Sequence, residues 1–207
     1  MRTIFKFSAL FLSLLIAQTG YTQNISGSKH DFSANGWGST EICIFCHAPH
    51  NGTASYDAPL WNHGVTTATY TLYSSSTLDA GPMAQPSGNS KLCLSCHDGT
   101  VAVDSYGGAT GTNFIPVAGL LGTDLSNDHP VGFSYNTSLS TSDGELHNPA
   151  TVNSGLGSTI ALDLLFGAGN DQLECASCHD VHNFANNGKF LRKANTASAL
   201  CLTCHNK

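Results

Sequence analysis

Eight cysteines fall into four pairs of one spacing: Cys43 and Cys46, Cys93 and Cys96, Cys175 and Cys178, Cys201 and Cys204. A histidine follows each pair at once: His47, His97, His179 and His205. The chain has only ten histidines in 207 residues, so chance does not place four of them there. Disulfides, the usual use of many cysteines in an exported protein, do not require tandem C-x-x-C. Two zinc ribbons with all-cysteine ligands would take the pairs two at a time and leave the four histidines without a role. A thioredoxin-like redox site expects one such pair in a βαβ unit. C-x-x-C-H is the attachment signature of c-type haem. Two thiols add to the two vinyl groups of a porphyrin, and the next imidazole ligates the iron from the proximal side. The expected cofactor is therefore haem c, in four covalently attached copies.

Four irons leave four distal positions and six histidines to fill them: His30, His50, His63, His129, His147 and His182. Met83 is the one methionine outside the first residue, so the supply favours bis-histidine iron throughout. His50 in "CIFCHAPH" and His182 in "ECASCHDVH" each follow a proximal histidine by three residues. On a helical turn such residues project from one side. The second histidine cannot easily wrap round its own porphyrin, and its expected iron belongs to a neighbouring site. His50 and His182 rank first as distal ligands, then His129, stiffened by Pro130, then His30. Solvated or hydrogen-bonded roles fit His63 and His147 better.

The first residues, MRTIFKFSALFLSLLIAQTGYTQ, have a basic start at Arg2 and Lys6, an apolar run from Phe7 to Ala17, and small and polar residues after it. That layout is a secretory signal peptide, here 1–22, leaving 23–207 as one mature domain. An uncleaved anchor is the alternative, but the run is about half the roughly 20 residues a membrane span needs. No other stretch is long and apolar enough to span a membrane. Cleavage removes two cations and leaves six against fourteen acids, a net charge of −8. Nucleic acid is excluded as a partner by the lack of any basic patch. Charged residues make up only 11% of the chain, below a normal soluble surface, which points to a fold organised by something other than an apolar core.

Each half of the chain holds one C-x-x-C-H-x-x-H site and one L-C-L-x-C-H site. The halves predict two haem pairs, 43–97 and 175–205. Elsewhere turn-forming residues dominate. "TTATYTLYSSS" offers one short strand, and "STIALDLLFGAG" a short helix or strand. Gln23 to Gly38 reads as a flexible arm. The expected fold is loop-rich and mostly irregular, with short helices carrying the C-x-x-C-H sites and porphyrin making much of the core.

The stretch Glu174 to Lys207 resembles the doubled C-x-x-C-H module of bacterial multihaem cytochromes. "GSKHDF", "CIFCHAPH", "APLWNH", "LCLSCHDGTVAVD" and "NDHPVGF" resemble the tetrahaem members of that group. The chain is similar to extracellular cytochromes of metal-reducing bacteria, some of which polymerise into haem-chain filaments. The resemblance implies His30, His50, His129 and His182 as distal ligands, and a family position at His63 that is often not histidine. It implies redox proteins or extracellular electron acceptors as partners, with a homopolymer or a monomer both open.

Bis-histidine iron has no vacant position for substrate. Electron transfer is thus the expected function, in the periplasm or at the cell surface. A multihaem reductase is the alternative, and it needs one open-coordination haem beside acid, base and cationic groups.

Overall fold

The computed structural model describes residues 25–55 and 58–207, and the expected signal peptide lies outside them. Two small antiparallel ribbons are present. β1 (Thr53–Ser55) pairs with β2 (Ala58–Trp61), and β3 (Phe133–Ser134) pairs with β4 (Gln172–Leu173). Five short α-helices complete the regular structure: α1 (Gly88–His97), α2 (Thr137–Asp143), α3 (Ile160–Leu164), α4 (Cys175–Cys178) and α5 (Cys201–Cys204). A 3-10 turn at Ile42–Phe45 precedes the first C-x-x-C-H histidine. The expected loop-rich architecture is the one observed, and helical turns carry all four sites.

Local chemistry explains the helix ends. The Asn136 side chain accepts from the Leu139 N–H at the start of α2, and Gly144 at φ 75° ends it in the left-handed conformation. Thr159 caps α3 in the same manner through the Leu162 N–H. "STIALDLLFGAG" thus resolves as a helix, whose Ile160 and Leu164 are buried.

"TTATYTLYSSS" does not form a strand, because side chains take its backbone groups. The Tyr70 N–H donates to Gln85 Oε1 at 2.8 Å, and Gln85 Nε2 donates back to the Tyr70 carbonyl at 3.0 Å. The Ala68 N–H donates to Thr66 Oγ1 at 3.0 Å. One isolated bridge, Thr71 to Asp124, is all that remains of sheet pairing there.

Apolar packing is divided into small clusters. Tyr135, Ile160, Leu164, Leu165 and Leu173 form one, with Cys204 against it. Tyr70, Leu94 and Leu125 form another. The N-terminal segment expected to be an arm is held by rings: Phe32 stacks on Trp37 at 5.6 Å and meets buried Phe45 edge-on at 5.5 Å. Among the described residues no helix is long and apolar enough to cross a membrane.

Candidate haem sites

Three of the four proximal histidines have their tautomer fixed by a backbone carbonyl. His47 Nδ1 donates to the Pro59 carbonyl at 2.7 Å, His97 Nδ1 to the Gly119 carbonyl at 2.7 Å, and His179 Nδ1 to the Lys189 carbonyl at 2.9 Å. A carbonyl only accepts, so the proton sits on Nδ1 and Nε2 keeps its lone pair. Metal-ligating histidines are oriented in this way.

The Pro59 and Lys189 carbonyls belong to backbone straps whose hydrogen bonds repeat around three sites. At the first, the Ala48 N–H donates to the Leu60 carbonyl at 2.9 Å and the Asn62 N–H to the Cys46 carbonyl at 2.8 Å. At the third, the Asp180 N–H donates to the Phe190 carbonyl at 2.7 Å and the Arg192 N–H to the Cys178 carbonyl at 2.9 Å. At the fourth, the Asn206 N–H donates to the Glu145 carbonyl at 2.7 Å and the His147 N–H to the Cys204 carbonyl at 2.8 Å. Trp61, Leu191 and Leu146 bridge to His47, His179 and His205 at equivalent places. The second site differs: α1 continues through His97, whose carbonyl accepts from Leu121 and Gly122.

A strap accounts for one of the two remaining histidines, and backbone carbonyls for the other. His147 occupies the strap position of Asn62 and Arg192, and its carbonyl also accepts from Tyr135 Oη at 2.5 Å. His63 is 5% exposed, with Nδ1 2.7 Å from the Gly64 carbonyl and Nε2 2.9 Å from the Ala102 carbonyl. Both of its ring nitrogens therefore face backbone oxygens instead of an open space.

Three distal candidates face a proximal histidine from a different segment of the chain. Ring centres are 6.0 Å apart for His30 and His97, 6.3 Å for His47 and His182, and 6.3 Å for His129 and His205. Bonds of roughly 2 Å on each side of one metal, plus the reach from nitrogen to ring centre, give about 6 Å across an iron. His182 thus lies opposite the first site and not its own. Asp180 shapes that turn by accepting the His182 N–H at 3.1 Å and the Phe184 N–H at 2.9 Å. His129 Nδ1 donates to the Pro130 carbonyl at 2.9 Å, which leaves its Nε2 with a lone pair. His30, which the sequence left free to serve its own chain or another copy, lies here against His97 of its own chain.

Electrostatics favour the neutral imidazole at His30, His182 and His205. Burial, then His97, His179 and His182, hold His30 down to about 4, and its Nδ1 is buried with no hydrogen-bond partner. Burial also lowers His182, with His47 adding to it, and lowers His205, with His129 adding to it. Neutral, buried imidazoles with an unused nitrogen are metal ligands in waiting. His50 and His179 are the exceptions. His50 is exposed, beside Trp61 and His63, and among the described residues no imidazole stacks opposite His179.

The sulfurs run from site to site. Burial pushes the Cys96 thiol up to about 12, with Cys46 the next cause, and pushes Cys204 up to about 11, with Cys178 next. Cys93 and Cys175 hydrogen-bond each other, which raises Cys93 and lowers Cys175. The sites are therefore linked in the order first, second, third, fourth. The two halves expected to carry the pairs 43–97 and 175–205 also meet each other, since α1 packs on α4 across them and His182 faces His47.

The residues fit haem c on a further observation. Leu60, Val181, Phe184 and Leu202 are exposed apolar side chains on a strap or within three residues of a site cysteine or histidine, and exposed Leu120 and Leu121 follow the Gly119 carbonyl that meets His97. A porphyrin beside them would cover surface that otherwise costs free energy in water. Among the described residues no three of His, Cys, Asp and Glu converge as a structural zinc site would need.

Covalent haem attachment by C-x-x-C-H, with imidazoles aligned across the sites, defines a haem-binding c-type protein. Residues 168–207 match the family model described as the doubled CXXCH motif, and this supports a multihaem c-type cytochrome. No protein of curated function matches the chain.

Proposed function

We propose that the chain carries four haems c and transfers electrons through bis-histidine iron. The cysteines named above hold the porphyrins, His47, His97, His179 and His205 ligate from the proximal side, and His182, His30 and His129 take the far side of the first, second and fourth irons. When bound, the irons supply the one-electron ferric/ferrous couple. The protein's part is to orient both imidazoles and to set neighbouring sites in contact. The observation that carries this reading is the set of three opposed imidazole pairs, each joining a C-x-x-C-H histidine to a histidine from another segment.

Mass spectrometry of the exported protein tests it first, with four covalent haems expected. Absorption spectra of the reduced protein with and without carbon monoxide test it second. Six-coordinate iron has no position for the gas, so the spectra should barely differ. A strong response from two or more haems would favour the reductase reading instead.

A second reading concerns assembly, and its observation is that His50 and His179 are both exposed, with no imidazole stacked on either among the described residues. His50 of one copy meeting His179 of the next would complete the third iron and make a head-to-tail contact. Such contacts grow open filaments when the rotation between copies does not close a ring. Few charged residues oppose the packing, although the net charge of −8 does. Native-size measurements on the wild type and on His50→Ala check this: a polymer that His50→Ala dissolves is the expected result, and a wild-type monomer with four six-coordinate haems would exclude it.

A further inference from the structure

Glu174 immediately precedes Cys175 and is only 3% exposed. Among the described residues Asp98 is the only other buried acid. Glu174 Oε2 accepts the Ser90 N–H at 3.0 Å and the Ser90 hydroxyl at short range. The Ser177 N–H also donates to this carboxylate, and Ser177 Oγ accepts the Glu174 N–H at 2.9 Å, which closes a capping box on α4. Ser90 Oγ in turn accepts the Cys175 N–H at 3.0 Å. Three donors converging on one carboxyl group is an arrangement that an ionised carboxylate satisfies.

The carboxylate joins two haem sites. Ser90 lies in the first turn of α1, the helix that carries Cys93 and Cys96. Glu174 begins α4, which carries Cys175 and Cys178. Gly88 allows the close approach: it has φ +51°, and a Cβ there would come within 2.5 Å of Glu174 Oε1. The Cys93 and Cys175 sulfurs touch beside it. Cys93 and Cys175 would therefore hold the second and third haems from one joint, with one buried acid beside it.

We propose that Glu174 is a positioning residue shared by the second and third haem sites, and that its negative charge holds both reduction potentials down. The proposal rests on the four-haem reading above. A negative charge near an iron favours ferric over ferrous, and the effect grows in a medium less polarisable than water. Net charge and burial around a redox metal are levers that proteins use to set its potential.

Redox titration of the holoprotein, resolved haem by haem by NMR, tests it. Glu174→Gln keeps the size and removes the charge. Two of the four potentials should rise, those of the haems on Cys93/Cys96 and Cys175/Cys178, while the other two stay. Ser90→Ala keeps the charge and strips one hydroxyl donor, so the same two potentials should fall. A role in packing alone would move both variants in one direction. The proposal is overturned if Glu174→Gln leaves all four potentials unmoved or shifts all four together. If Glu174→Gln does not load haem, Ser90→Ala decides alone: a fall in those two supports the proposal, and a rise or no change refutes it. Fewer than four covalent haems in the wild-type mass would sink the four-haem reading itself, independently of either variant.

Discussion

The first and third sites show one backbone built from two unlike sequences. Around His47 the strap reads Pro59-Leu60-Trp61-Asn62, and around His179 it reads Lys189-Phe190-Leu191-Arg192. In each, the first carbonyl accepts from the proximal Nδ1 and the residues after it close the same pair of backbone hydrogen bonds. Leu60 and Phe190 hold matching left-handed conformations, φ 55° and 57°. The difference lies one residue earlier: Lys189 is also left-handed at φ 56°, whereas Pro59 has no positive φ. The distal histidines differ too, since His182 reaches the first site while His50 remains exposed. What the proximal histidine requires is a carbonyl at one place, and different side chains can deliver it.

The heaviest perturbation is removal of the third haem. Cys175→Ala with Cys178→Ala should leave three haems by mass and lower the melting temperature far more than the same change at Cys201 and Cys204. Site three lies at the α1–α4 joint between the halves, while α5, which carries site four, has no comparably packed helix against it among the described residues. Equal losses from the two double variants would contradict a special place for site three.

The distal histidines sharpen the contrast next. His182→Ala should turn the first haem high-spin or water-ligated with all four haems still attached, as read by electron paramagnetic resonance. His50→Ala should leave the first, second and fourth haems low-spin. If the His182 variant keeps four unchanged low-spin haems, the pairing of His182 with His47 is wrong.

A smaller effect comes from exchanging strap residues. Proline suits position 59 but cannot reach φ 56°, because its ring fixes φ near −65°. Lys189→Pro should therefore cost about 3 kcal/mol, on the scale of a proline forced into an incompatible conformation. Lys189→Gly should be neutral or stabilise by up to about 1 kcal/mol, because its side chain is exposed and a left-handed residue favours glycine. Thermal unfolding of the two variants measures both.

The mildest change is in acid, away from both straps. Asp104 accepts the Asn113 N–H at 2.8 Å, the Thr112 N–H at 2.9 Å and Asn113 Nδ2 at 2.7 Å. Burial alone would raise its carboxyl, but these donors outweigh it and hold the group below the ordinary 3.8. A depressed carboxyl stabilises the fold above its unfolded value, and that contribution disappears as pH falls through the folded one. Amide exchange in 104–113 should therefore quicken only below about pH 3.8, while Asp104→Asn should show faster exchange there at neutral pH.

The candidate attachment sites were legible in the sequence as a motif, because covalent haem attachment demands fixed spacing. Distal ligands were legible only as a ranking. His30 meets His97 and His129 meets His205 through tertiary folding, and spacing along the chain carries no trace of that. The straps escaped for another reason: a backbone carbonyl has no side-chain signature. "APLWN", "GKFLR" and "DGELH" share an apolar fourth residue and little else. The signal that was available is distance, since Pro59 follows His47 by 12 residues and Lys189 follows His179 by 10. The fourth strap precedes its site by tens of residues, so even that cue fails there, and His147 looked like an idle histidine. The α1–α4 joint was not legible in the internal repeat, because Glu174 and Ser90 are 84 residues apart.

The most direct measurement is a carbon monoxide titration of the reduced, monodisperse protein, with covalent haems counted by mass in the same sample. Three irons capped within the chain by His30, His129 and His182, and a third site that depends on His50, predict four haems of which at most one binds the gas. Two or more haems binding carbon monoxide, or a mass with fewer than four, would contradict the bis-histidine electron carrier.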